Sequence, residues 1–328
     1  MNKQHYIIIA IVTTMLLLCG GAYSLVWYTF KQREIQRQIT NEENKPLEEI
    51  SLDNPETIQP LNKLFETGVP RFVTNAAITE SIPVNNTKIA IILDDLGIHE
   101  SIWPQLENLP NAITYAYLPY GKHTNTQAPL ARRIGHEIMI HLPMEPHLTS
   151  TGKVIDPGPN ALYTGLTPEE IIKKTYENIA SLKEISVAVN NHMGSKFSEF
   201  PEGLTGVLSV IKDERMFFVD SVTTAKSSVP QIAENLDIPL LRRDIFIDHS
   251  QKLEDIQAML LKLEKRAEKQ GYAIAIGHPH NTTFEALQMW IPTLAEKNIT
   301  LVPITNLLQD KIEATTEPVP LSGYDYKY

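Results

Sequence analysis

The stretch KIAIILDDLG, residues 88–97, decides the architecture of this chain: an apolar run rich in β-branched residues ends abruptly in two adjacent carboxylates, Asp94 and Asp95, and a glycine. Continuous apolar character over 89–93 suits a strand covered on both faces, as in a parallel sheet, rather than a half-exposed strand with alternating polarity. Architectures of that kind place ligand sites at the carboxyl ends of their strands. A lone Asp there is explained equally well as the cap of the next helix. Two in a row, with more polar strand ends downstream, point to a site.

Downstream, short apolar runs alternate with amphipathic segments, and strands are expected at 89–93, 112–118, 137–141, 186–190, 217–220, 245–248, 273–277 and 300–302. The clearest helix opens at Thr167-Pro168-Glu169-Glu170, with Thr as N-cap, Pro at the first helical position and Glu three residues after the cap, and is expected to reach about residue 183. Two more cover 251–269 and 283–297. Repeated βα alternation means parallel strands joined by crossover helices. It predicts an α/β domain over 88–310, a distorted parallel (β/α) barrel of about seven strands, followed by a loosely held tail at 311–328.

Upstream, residues 1–5 form a short flank and 6–30 carry no charged side chain, a run long enough to cross a bilayer as a helix at about 1.5 Å per residue. An uncleaved transmembrane signal anchor is the preferred reading, because the run exceeds a typical leader core; a leader cut after Ser24 and a lipoprotein at Cys19 are the alternatives. Lys3 precedes the run while Lys31, Arg33 and Arg37 follow it, and the charge count alone places the bulk of the chain in the cytoplasm. Residues 31–87 are polar and read as a tether, with 61–82 less polar than the rest.

The 328 residues are 42% hydrophobic and 21% charged, an ordinary globular composition. A net charge of −10 argues against nucleic-acid binding, which needs a basic face. Cys19 is the sole cysteine, so no disulfide or thiolate metal site forms within one chain, and a metal must be held by His and carboxylate.

The predicted strands end in Asp94-Asp95, His141, Asn190-Asn191-His192, Asp220-Ser221, Asp248-His249 and His278-Pro279-His280. In a barrel all these ends share one face. A His in a turn is usually structural, but several strand ends carrying one strengthen the case for a site. Carboxylate and neutral imidazole suit a catalytic zinc, a second carboxylate can take a proton from water, and a His across the site can return one to a leaving amine. Asp94, Asp95, His141, His192 and His278 meet those needs.

These residues also resemble a family. ILDDLG is similar to the strand-ending Asp-Asp motif of the polysaccharide deacetylases, and GHEIMIH, residues 135–141, to the segment bearing their first metal-binding histidine. With HLPMEP, NNHMGS, VDSVTT and GHPH, residues 88–308 resemble the divergent polysaccharide deacetylase family. The resemblance implies a distorted (β/α) barrel, a divalent metal, zinc by preference, and hydrolysis of acetyl groups from a cell-envelope glycan outside the cytoplasm. It is also the ground for preferring a periplasmic domain held to the inner membrane. It implies Asp94 as general base, Asp95 and His141 as metal ligands, and His278 as the histidine near the leaving group. Where ordinary members place a second His four residues after the first, this chain has Glu145, which leaves the third ligand to His192, Glu145 or His280, in that order. Asn191, Asp220 and Asp248 are further candidates for the site. Two other functions fit the same residues: a noncatalytic envelope protein that holds a glycan or partner, and a hydrolase of another ester.

Overall fold

Strand β1 (Thr87–Leu96) carries two apolar faces and is the spine of the fold. Ile89, Ile91 and Leu93 point to one side, into a core shared with the outer helices; Ala90 and Ile92 point to the other, into the lumen of a curled sheet. Two separate apolar cores on a single strand explain why its sequence shows no alternation. The computed structural model describes residues 87–316, with side chains as far as 310. The regions 6–30 and 317–328, and most of 31–87, lie outside the described residues.

The remaining strands are β2 (Thr114–Tyr117), β3 (Ile138–Met144), β4 (Ser186–Met193), β5 (Phe217–Asp220), β6 (Leu240–Arg242), β7 (Ile245–Phe246), β8 (Tyr272–Gly277) and β9 (Ile299–Leu301). Their order across the sheet is β6-β5-β4-β3-β2-β1-β8-β7, with β9 beside β1, and every ladder is parallel. β9 pairs with Thr87 to Ile89 and β2 pairs from Ile92 onward, so the two take successive lengths of β1. The edge strands β6 and β7 share no ladder, yet only Arg243 and Asp244 separate them in sequence. Consecutive Cα atoms are about 3.8 Å apart, so this short link draws the two edges together. The result is a parallel-strand half-barrel, which agrees with the parallel α/β architecture expected from sequence and refines the distorted barrel of about seven strands to an open sheet of nine.

The helices follow their caps. Thr167 and Glu170 form the reciprocal capping box, with Pro168 next, and open the helix Pro168–Ile179. Leu253–Gln270 ends at Gly271 in the left-handed region. Asn281–Trp290 is shorter than expected and continues as 3-10 turns. The helices Trp103–Glu107, Thr124–Arg133, Pro201–Asp213, Val229–Leu236 and Ile304–Thr316 were not anticipated.

The last of these has a special place. Its Ile304, Leu307 and Leu308 fill the lumen against Ala90, Ile92, Met139 and Ala188. Its first amide groups, which lack partners within the helix, are met from the sheet: Thr114 Oγ1 accepts from Ile304 N, and Glu137 accepts from the Thr305 N–H and hydroxyl. A carboxylate at a helix N-terminus also suits the helix dipole. The tail expected from 311 is thus helical as far as Thr316.

Candidate metal centre and catalytic site

The lumen-facing register carries straight into the site. Beyond Ile92 comes Asp94, beyond Met139 comes His141, beyond Ala188 come Asn190 and His192, and beyond Ile276 comes His278. Period-two alternation therefore delivers five polar side chains from four strands onto one floor. Asp95 should face away from Asp94, but its φ of 58° is left-handed and β1 bulges between Leu93 and Leu96, which turns it back to the same side.

Asp95 Oδ1, His141 Nε2 and His192 Nδ1 form a near-equilateral triangle. The separations are 3.2 Å for Asp95 to His141, 2.9 Å for Asp95 to His192 and 3.1 Å between the imidazoles. Donors held about 2.0–2.1 Å from zinc at tetrahedral angles stand roughly 3.3 Å apart, so the triangle has the dimensions of a tetrahedral face. Asp95 Oδ1 is buried and has no hydrogen-bond partner, although a nitrogen of each ring lies within 3.2 Å of it. A buried carboxylate oxygen without a donor, facing two ring nitrogens, is an environment for a cation. The set thus fits a divalent metal.

Asn190 orients the centre. Its Oδ1 lies 2.9 Å from His141 Nδ1, and its Nδ2 donates to Asp94 Oδ1 at 2.8 Å. A proton on His141 Nδ1 leaves Nε2 with a lone pair toward the triangle. Asp94 sits beside this centre, 3.6 Å from His141 Nε2 and almost fully buried. Burial pushes its carboxyl above the ordinary value, although His141 and His278 pull it down. Asp95 is different: burial opposes its charge, but His141 and His192 hold it well below the usual range. Burial disfavours the charged form of His141 too, yet Asp94 and Asp95 together raise its pKa.

His278, at the end of the strand next to that of Asp94, has its Nε2 3.8 Å from Asp95 Oδ2 and its Nδ1 3.0 Å from Asp248 Oδ1. Asp248 Oδ2 also accepts from the His278 N–H and from Thr283 Oγ1. Burial works against the imidazolium, but the Asp248 carboxylate raises His278 to about 9. Both Asp94 and His278 are thus shifted upward, the carboxyl by burial and the imidazole by its carboxylate neighbours.

A family model described as "Divergent polysaccharide deacetylase" matches residues 91–308. The chain belongs to the divergent polysaccharide deacetylase family. Relatives of this deacetylase-family chain include the uncharacterized protein YibQ of Escherichia coli K12, 32% identical over 247 residues that make up 74% of each chain. An uncharacterized protein of Haemophilus influenzae is 31% identical over 254 residues, 76% of this chain and 88% of the relative. The crystal structure of the uncharacterized protein ATU2773 from Agrobacterium tumefaciens C58 shares the fold, with a TM-score of 0.63 and 23% identity over 74% of this chain and 94% of that one.

Several candidates lie elsewhere in this member of the polysaccharide deacetylase family. Glu145 is held by Thr164 and Lys196, at 2.7 Å from each side chain, and ties two loops together instead of joining the triangle. His280 contacts Gln251, with its ring 6.0 Å from that of His278. Asn191, on the opposite face of β4 from Asn190, accepts from Ser221 N. Asp220 caps its own turn through Val222 N and takes the Ser227 hydroxyl. Of the two asparagines at this strand end, Asn190 and not the expected Asn191 faces the centre. The signal was available: Asn190 shares the parity of Ala188 and His192.

Proposed function

We propose that this chain is a metal-dependent hydrolase that removes acetyl groups from the amino sugars of a cell-envelope glycan. One observation carries the reading: a metal-sized triangle of Asp95, His141 and His192 has both the buried carboxylate Asp94 and the Asp248-backed His278 within 4 Å of its members. Zinc or a similar ion bound there supplies Lewis-acid charge for the attacked carbonyl. Asp94, with its carboxylate pKa raised by burial, takes a proton from the attacking water. His278, protonated near neutral pH, delivers one to the leaving nitrogen as the carbon–nitrogen bond breaks, and acetate and a free amine result.

The test is Asp94→Asn, which preserves shape and most hydrogen bonding but removes the base. Turnover on an N-acetylated glucosamine oligomer, compared at matched metal occupancy, is expected to fall on the order of a hundred to ten thousand fold. Wild-type protein that holds the metal yet releases no acetate from any acetylated glycan favours a noncatalytic glycan-binding role; phosphate release from a phosphoester favours another esterase. We also infer an inner-membrane tether at 6–30 with the domain in the periplasm. A reporter fused after Tyr328 is then active only outside the cytoplasm, and a signal confined to the cytoplasm refutes the topology.

A further inference from the structure

The half-barrel has a seam, and the chain crosses it in two residues. Arg243 N donates to Asp220 O at the end of β5, while Asp244 N donates to Ile274 O of β8, so the main chain changes neighbour between consecutive residues. The side chains continue the division. Asp244 Oδ2 accepts from Ile274 N and its Oδ1 from Arg266 Nε, which fastens the β8 side. Arg243 reaches back to the other side: Nε donates to Ser221 O at 2.6 Å and Nη2 to Val222 O at 2.8 Å.

Those two carbonyls belong to a turn that touches the site. Val222 has a φ of 50°, which is rare for a β-branched residue and needs support from its surroundings. Ser221 Oγ is 3.3 Å from Asn190 Nδ2, the group that holds Asp94. The Arg243 guanidinium also lies over the Phe246 ring, 5.4 Å from its centroid, and Phe246 packs edge-on against His278 at 5.0 Å. Among the described residues Arg243 forms no ion pair within 4.0 Å; its side-chain hydrogen bonds go to the two carbonyls, and the carboxylates of Asp220, Asp94 and Asp244 act on its charge from farther away.

We propose that Arg243 is a positioning residue: it staples the seam between β6 and β7 and thereby holds the Phe246–His278 pair, on the β7–β8 side, against the Ser221 turn and Asn190 on the β4–β5 side. This rests on the deacetylase reading for its kinetic consequence but not for its structural one. Asp94 and His278 follow Leu93 and Gly277, which are paired in the β1–β8 ladder. Asn190, which orients Asp94, is joined to His278 by ladders only the long way round, through β3, β2 and β1, and no ladder closes the gap between β6 and β7. Arg243 spans that gap with a rigid fork and a stacked face, which lysine cannot reproduce.

The experiment uses the full chain with 13C-labelled histidine rings, and the variants Arg243→Met and Arg243→Lys. Both are expected to bind one metal ion, to shift the His278 ring resonances, and to lose roughly ten- to a hundredfold in kcat on an N-acetylglucosamine oligomer, with KM within about threefold, as a misplaced reacting group does. Unchanged His278 resonances in folded Arg243→Met overturn the proposal, as does full activity in Arg243→Lys, which would reduce the residue to its charge. Should Arg243→Met not fold, Phe246→Leu interrupts the same link at its other end and must move the His278 resonances. Wild-type protein without turnover defeats the enzymatic reading alone, while the resonances still decide the staple.

Discussion

At Asn190 one amide serves two ionisable partners, His141 Nδ1 at Oδ1 and Asp94 at Nδ2, and so orients both the proposed metal ligand and the proposed base. Asn190→Leu keeps the volume and removes both bonds. Metal affinity is expected to fall about ten- to a hundredfold, as when the outer partner of a ligand histidine is lost, and competition with a chelating dye measures it. His136 makes the contrasting case. Its ring stacks on Tyr115 at 4.0 Å, Nδ1 meets Ile113 O at 2.8 Å, and burial lowers its pKa below the ordinary value despite that bond. The unfolded chain therefore takes up the proton first. The stability His136 contributes is complete above its unfolded pKa of about 6.5 and is lost as pH falls from there toward the depressed folded value. Urea midpoints at pH 7.5 and 5.5 are expected to differ more in wild type than in His136→Phe; equal differences refute the assignment.

At the scale of elements, the junction after β1 is the tightest point. Gly97 has a φ of 92°, and a Cβ there would lie 2.0 Å from Thr124 Oγ1, whose hydroxyl donates to Leu118 O. Gly97→Ala thus combines a left-handed backbone penalty with overpacking and is expected to cost about 2–4 kcal/mol in urea unfolding. That the run before it is a buried parallel strand was legible from 89–93, because two-sided burial removes alternation. That Asp95 turns back into the site was not, since a single left-handed residue leaves no pattern. β6 was missed for a related reason: Leu240–Arg242 is three residues long, follows Pro239 and ends in arginine, so only its pairing with β5 makes it a strand. The C-terminal helix escaped notice because its N-terminal partners, Thr114 and Glu137, are far away in sequence. His192 was legible as a candidate ligand, whereas Glu145 kept its place as an alternative only until Thr164 and Lys196 were seen to hold it.

At the scale of the whole molecule, the triangle joins residues contributed by three strands, Asp95 from β1, His141 from β3 and His192 from β4, with β2 lying between the first two. An ion that binds there links strands far apart in sequence, and the unfolded chain holds no such set together, so binding is a contribution to folding. At a free zinc concentration one hundred times the dissociation constant, the folded state is favoured by about 2.7 kcal/mol. For a domain of this size each kcal/mol moves the midpoint by roughly 2–4 °C, so the Tm is expected to rise by about 5–11 °C with zinc and to fall back with a chelator. His141→Ala removes one of three ligands and is expected to abolish the rise, whereas His99→Ala, exposed beyond the end of β1, leaves it intact. Thermal scans of the three proteins with and without zinc measure this directly. A rise of equal size in His141→Ala places the ion elsewhere; no rise in wild type, at a zinc concentration where elemental analysis finds one ion bound, means that the unfolded chain binds it as tightly as the half-barrel does.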